Sequence, residues 1–160
     1  DRKRLSVYVD RRCIAAVCTP LAAGQCLCRL PAAAADVLQQ LEDEIRGCGA
    51  CLGIYGSLAW EVVGGEAYRH AGSDIDVICD VDSRRQYEIA LAALTRAQSR
   101  LACRLDGELR LPDGKAVAWP ELAQADCLAG KKVLVKGEAT PALMPLAEFL
   151  GSSLSLEYAA

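Results

Sequence analysis

The sequence predicts an α/β fold: a mixed sheet with helices packed against one or both faces. Three observations predict it. Short apolar runs at 51–55 and 74–81 have the length of buried strands. Segments with apolar residues at helical spacing, 32–46 and 84–98, alternate with them. Finally, 52% of the 160 residues are hydrophobic and only 24% charged, which supplies a core and excludes a disordered chain.

The elements follow in order. Residues 5–9 and 13–18 read as strands around the polar turn Asp10-Arg11-Arg12, and 25–30 reads as a third. Residues 1–31 are therefore expected to form a small β-rich appendage, truncated at its start, before a main domain over 32–160. Pro31 breaks the pattern, and the helix over 32–46 sets Val37, Leu38, Leu41 and Ile45 on one face, with Gly47 and Gly49 at its end. The strand 51–55 runs into Gly56-Ser57, a tight turn leading to a helix over 58–63. Gly64-Gly65 closes that helix, and a loop reaches Ser73. After the strand 74–81, Asp82 or Ser83 caps a helix over 84–98 whose apolar face is Tyr87, Ala90, Leu91 and Leu94. Strands over 101–111 and 116–119 form a hairpin across Pro112-Asp113-Gly114. A short helix over 120–128, a last strand over 132–136 and a C-terminal helix flanked by Pro141 and Pro145 complete the reading.

Charge narrows the function. Eighteen basic and 21 acidic residues leave a net charge of −3, without the basic excess that drives binding to long nucleic acid. A single nucleotide-like substrate held through metal ions stays compatible. No apolar run is long enough for a membrane helix. The start, Asp1-Arg2-Lys3-Arg4, has neither Met nor an apolar signal region, so upstream sequence is expected to be missing. The nine cysteines are odd in number and mostly sit in apolar stretches, which reads as reduced thiols in a cytoplasmic protein. A zinc site from Cys26, Cys28, Cys48 and Cys51 is the sharper alternative.

The chemistry concentrates in two short motifs. Asp74 and Asp76 are two apart on a strand, so both carboxylates leave one face, their Cα atoms about 6.6 Å apart. Two acids on an apolar strand repel and are costly to desolvate, and a divalent cation offsets both penalties. Hard oxygen donors of this kind suit Mg²⁺, with Mn²⁺ as its substitute. Gly56-Ser57 opens a helix, where free N–H groups and the positive dipole end favour a phosphate. A third carboxylate on a neighbouring strand is expected at Asp106, with Glu108 as second choice; Asp106-Gly107 also reads as a bulge or turn signal. Two metals would then clamp the attacking and leaving oxygens of an in-line displacement at phosphorus.

The order of parts is apolar strand, Gly-Ser, helix, Gly-rich loop, then a strand opening Asp-x-Asp. It resembles the nucleotidyltransferase superfamily that includes DNA polymerase beta. Tyr55-Gly56-Ser57-Leu58-Ala59-Trp60, the loop 64–70, Gly72-Ser73-Asp74-Ile75-Asp76, Leu105-Asp106-Gly107-Glu108, the stretch 112–119 and Val133-Leu134-Val135-Lys136 are similar to one branch of it. That branch is the malonate decarboxylase holo-acyl-carrier-protein synthases, or phosphoribosyl-dephospho-CoA transferases. The resemblance spans about 50–137 and departs from the family at Pro120 and Gly137. It implies a polymerase-beta-like fold and transfer of phosphoribosyl-dephospho-CoA from triphosphoribosyl-dephospho-CoA to a serine of the acyl-carrier subunit of malonate decarboxylase, with pyrophosphate released. It implies Asp74 and Asp76 as Mg²⁺ ligands, and Gly56 and Ser57 as holders of the donor phosphates; Asp106 is expected to join the two aspartates as third catalytic metal ligand, and Ser73 and Lys136 are expected as further donor-binding residues. A citrate-lyase-type or small-molecule- or protein-modifying nucleotidyltransferase, and a non-catalytic binding module, are the alternatives.

The remaining candidates each have a plainer reading. Lys136 either reaches the triphosphate or faces water at a strand end. Lys131-Lys132 and Arg84-Arg85 either meet an acidic carrier protein or are solvated faces. His70 either touches substrate or is an exposed loop residue, and Trp60 and Trp119 either stack on a base or pack into a core short of aromatics.

Overall fold

The computed structural model describes residues 7–70, 72–125, 130–137, 140–151 and 154. Four strands, β1 (Cys51–Tyr55), β2 (Ile75–Asp80), β3 (Leu105–Arg110) and β4 (Ala116–Ala118), form a sheet in that order. β2 runs antiparallel to β1 and parallel to β3, and β4 runs antiparallel to β3, so the sheet is mixed as expected. The hairpin turn closes where Gly114, at φ 81°, donates its N–H to Leu111.

Two long helices bury one face of the sheet. α2 (Ala32–Gly47) contributes Val37, Leu38, Leu41 and Ile45, the four residues its spacing puts on one side. α4 (Arg84–Arg100) contributes Tyr87, Ala90, Leu91, Ala93, Leu94 and Ala97, and its N-cap is Ser83, whose hydroxyl accepts the Gln86 N–H. They cover the face formed by Ile54, Ile75, Val77, Cys79, Leu105, Leu109 and Val117. In β2 and β3 every second residue is buried and its neighbours are half-buried, so Asp76, Ile78 and Asp80 share the other face with Asp106, Glu108 and Arg110. That open face carries the polar groups.

Several boundaries differ from expectation. The strands expected at 5–9, 13–18 and 25–30 are not formed by the described residues: Arg11–Cys13 is a 3₁₀ turn, and Ala23–Cys26 (α1) and Leu27–Arg29 are helical. The described part of that alternating apolar pattern pairs with no strand of the sheet beyond one bridge. Among the described residues of that segment only Leu21 makes a β-bridge, to Ile54, and Ala23 and Cys26 join the core beside α2. β3 begins at Leu105 because α4 continues to Arg100. The helix after β4 is α5 (Trp119–Ala125); the expected continuation over 126–128 lies outside the described residues. Within the region expected to be a C-terminal helix, β6 (Ala142–Pro145) pairs antiparallel with β5 (Lys132–Val135), and the helix is α6 (Leu146–Gly151). Pro145 is tolerated at the end of a two-stranded edge. Lys136 bridges Ala116, which joins this ribbon to β4.

Candidate active site

The site is built at one end of the open sheet face, where β1 ends and β2 and β3 begin. α3 (Gly56–Gly64) starts directly from β1. At Gly56 φ is 67°, and a Cβ there would stand 2.0 Å from Asp76 Oδ2. Only glycine satisfies both constraints. The following N–H, of Ser57, donates to the Asp76 carboxylate, so the first turn of α3 and the strand acid are joined.

The register brings the acids together. Asp76 lies opposite Asp106 on the adjacent parallel strand. Asp74 immediately precedes β2, and Arg104 immediately precedes β3. The Arg104 Nη2 donates to Asp74 Oδ2 at 2.7 Å and to Asp106 Oδ2 at 2.6 Å. Asp106 Oδ1 accepts the N–H of Gly107 at 2.9 Å. Burial pushes the Asp76 carboxyl above its ordinary pKa, and the charges of Asp106 and Asp74 push the same way; Arg104 and the Ser57 N–H oppose them. The cluster thus holds more negative charge than the protein neutralises.

The other expected residues lie around this cluster or support it. Lys136 Nζ donates to Glu108 Oε1 at 2.6 Å, and the negative charge of Glu108 and Asp106 raises the lysine pKa. Glu108 is therefore tied to Lys136, while Asp106 faces Asp76. Ser73 is engaged in the loop before β2: its hydroxyl accepts the His70 N–H at 3.0 Å, and His70 Nδ1 accepts the Gly72 N–H. Trp119 is buried and donates to the Leu105 carbonyl, so it packs, whereas Trp60 is 64% exposed.

Three contributors escaped the sequence reading. Arg104 stands two residues before Asp106, a spacing that puts both on one side of β3 and was the available signal. Tyr55 lies opposite Asp76, and burial together with Glu108, Asp76 and Asp106 raises its phenol pKa. Glu61, buried in α3, accepts the Arg69 backbone N–H at 2.6 Å and its Nε at 3.0 Å, while Arg69 Nη2 donates to the Arg29 carbonyl. That pair pins the loop leading to Asp74.

The donor set consists of carboxylate oxygens, which fits a hard divalent cation. Among the described residues no three His, Cys, Asp or Glu side chains converge on one metal position. Asp74 and Asp106 are engaged with Arg104 instead. Neither the cysteines of the zinc alternative nor any other described thiol forms a closed site, and the eight described cysteines are free.

Residues 20–147 match the family model described as the phosphoribosyl-dephospho-CoA transferase MdcG C-terminal domain. A protein of Xanthomonas euvesicatoria pv. vesicatoria named phosphoribosyl-dephospho-CoA transferase is 31% identical over 146 residues, covering 91% of this chain and 67% of its own length. A protein of the same name from Xanthomonas axonopodis pv. citri is 32% identical over the same span and coverage. One from Bradyrhizobium diazoefficiens is 30% identical over 121 residues, 76% of this chain and 54% of its own. The chain thus spans about two thirds of the length of the first two relatives. No solved structure matches.

Proposed function

The chain belongs to the phosphoribosyl-dephospho-CoA transferase MdcG family, a family of transferases, and on that premise we propose that it moves phosphoribosyl-dephospho-CoA from triphosphoribosyl-dephospho-CoA to a serine of the apo acyl-carrier subunit of malonate decarboxylase. The observation that carries this reading is the facing pair Asp76 and Asp106 beside the first turn of α3. That arrangement supports reading the site as a nucleotidyltransferase centre of the polymerase-beta type.

In the reaction the carrier serine oxygen forms a bond to the α-phosphorus of the donor, the bond to the β-phosphate bridging oxygen breaks, and pyrophosphate leaves. Asp74, Asp76 and Asp106 would hold Mg²⁺, or Mn²⁺ in its place, which supplies charge neutralisation at the transferring phosphate. The chain's own part is to hold the reacting groups in line. The amino end of α3, with Gly56 and Ser57, receives donor phosphate oxygens. Lys136 and Arg104, the cations beside the cluster, would offset charge on the departing diphosphate. Ser73 holds the turn that delivers Asp74. Arg104 pairs with Asp74 and Asp106, and its guanidinium would be available to phosphate where those acids held a cation. Free cysteines at every described position support a reducing, cytoplasmic setting, and among the described residues no helix is long and apolar enough to cross a membrane.

The test mixes the protein, Mg²⁺, the triphosphoribosyl donor and the apo carrier subunit, then reads carrier mass and pyrophosphate release. Asp76→Asn is expected to lower the rate by about 10²-fold or more, the scale seen when one preorganised electrostatic contact is lost. Transfer at an unchanged rate in that variant would refute the assignment.

A further inference from the structure

The charged groups around the carboxylate cluster lie on one side of it. Glu108 with Lys136 and Asp80 with Arg110 continue along the open sheet face. On the other side, past Gly56, the surface is apolar. A groove of about 340 Å³ runs between residues 16–21 and the outer side of α3. Pro20 and Leu21 form one wall, Trp60 and Val63 the other, and Tyr55 and Gly56 close the end nearest Asp76. Leu58 and Glu61 face inward from α3, which leaves Trp60 and Val63, three residues apart, together on the outside. They are 64% and 67% exposed. The chain has only two Trp, five Tyr and one Phe, and it buries its other tryptophan completely enough to use the indole N–H internally. An indole left open beside a phosphate-binding turn is therefore out of keeping with the rest of the core.

We propose that this groove receives the adenine ring of the donor, stacked on the Trp60 indole. The inference rests on the transfer reading above and extends it to the part of the donor that carries no phosphate. The donor has a triphosphate that must reach the carboxylates and an uncharged base that must lie nearby. The surface is divided the same way, charged on one side of Gly56 and apolar on the other. The volume is within the range of small-ligand pockets, and an aromatic plane is the side chain that holds a base without needing a charged partner.

Dephospho-CoA, which lacks the triphosphoribosyl group, is the probe. Titrated into the protein without metal, it is expected to quench tryptophan emission saturably; Trp119, being buried, reports only that the fold is intact. Trp60→Ala should abolish the quench and raise the donor KM about tenfold at nearly unchanged kcat, and Trp60→Phe should restore most of the affinity. A donor KM within twofold of wild type in Trp60→Ala overturns the proposal. So does a quench produced by pantetheine but not by adenosine, which would put the other arm of the donor in the groove. If dephospho-CoA quenches Trp60 while the wild-type chain transfers nothing to the carrier, the base site stands and the transfer reading falls. Transfer to the carrier without any quench keeps the transfer reading and overturns the base site.

Discussion

Replacing Gly56 by Ala tests the geometry on which the site depends. A methyl there meets two separate penalties. The first is conformational: at φ 67° an L side chain costs about 1–2 kcal/mol. The second is steric. The new Cβ would lie 2.0 Å from Asp76 Oδ2, 2.7 Å from its Cγ and 3.0 Å from its Cβ, so rotating the carboxylate does not clear it. Overpacking of this kind costs about 1–3 kcal/mol. Together they amount to about 2–5 kcal/mol, a large share of the about 5–15 kcal/mol that holds a domain folded. At about 2–4 °C per kcal/mol for a chain of this size, thermal unfolding should fall by roughly 10 °C. Gly65→Ala is the internal control: φ there is 74°, but nothing lies within 4 Å of the added carbon, so only the first penalty applies. A double variant, Gly56→Ala with Asp76→Ala, should recover about 1 kcal/mol or more relative to the sum of the single effects. If Gly56→Ala melts no lower than Gly65→Ala in differential scanning calorimetry, the close approach of Asp76 to the turn is wrong.

Other consequences can be measured independently. The folded pKa of Asp76 is raised, so the folded protein holds its proton to higher pH than the unfolded chain does; without divalent cations the stability that Asp76 contributes should therefore be fully present below about pH 4 and be lost as pH rises through the folded value. Urea melts across that range in chelator should show Asp76→Asn gaining on wild type as pH rises, and parallel curves would contradict it. Glu61→Ala leaves the mostly buried Arg69 without its carboxylate and should cost about 3 kcal/mol, with protease cleavage appearing first between residues 64 and 73; uniform digestion would argue against the pin. Trp119→Phe removes the donor to the Leu105 carbonyl and should cost about 1–2 kcal/mol by urea titration, whereas a neutral result would mean that water replaces the indole N–H.

The parts of the fold legible in the sequence were those where local pattern and packing agree. The apolar faces of α2 and α4 and the hairpin at Pro112-Asp113-Gly114 follow from spacing and turn chemistry alone. The opening segment misled because Leu-Ser-Val-Tyr-Val and Cys-Ile-Ala-Ala-Val-Cys alternate like strands, yet a strand needs a neighbour, and in the described part of that segment only Leu21 finds one, at Ile54. β6 was missed because Pro141 just before it and Pro145 at its end suggested helix flanks rather than a short edge ribbon. In the site, the facing of Asp76 by Asp106 could be anticipated from their shared parity, but not which acid would be tied elsewhere. The Glu108–Lys136 contact depends on how the β5–β6 ribbon joins β4, a long-range fact with no local signature. Glu61 acts through Arg69, eight residues away, and Arg104 reaches Asp74 across 30 residues, so only the two-residue spacing of Arg104 from Asp106 was legible in a linear reading.

Gly107 separates Asp106 from Glu108 and sits across from Val77, at φ 140°. A methyl on it would fall 1.8 Å from the Val77 carbonyl oxygen, which is main chain and cannot turn aside. Any other residue would wedge β2 and β3 apart one step beyond the facing acids. The gap between the facing carboxylates of Asp76 and Asp106 is thus gauged by a missing carbon atom rather than by the acids themselves. Variants that keep all three aspartates but fill that space would look intact in an alignment and still set Asp76 and Asp106 too far apart.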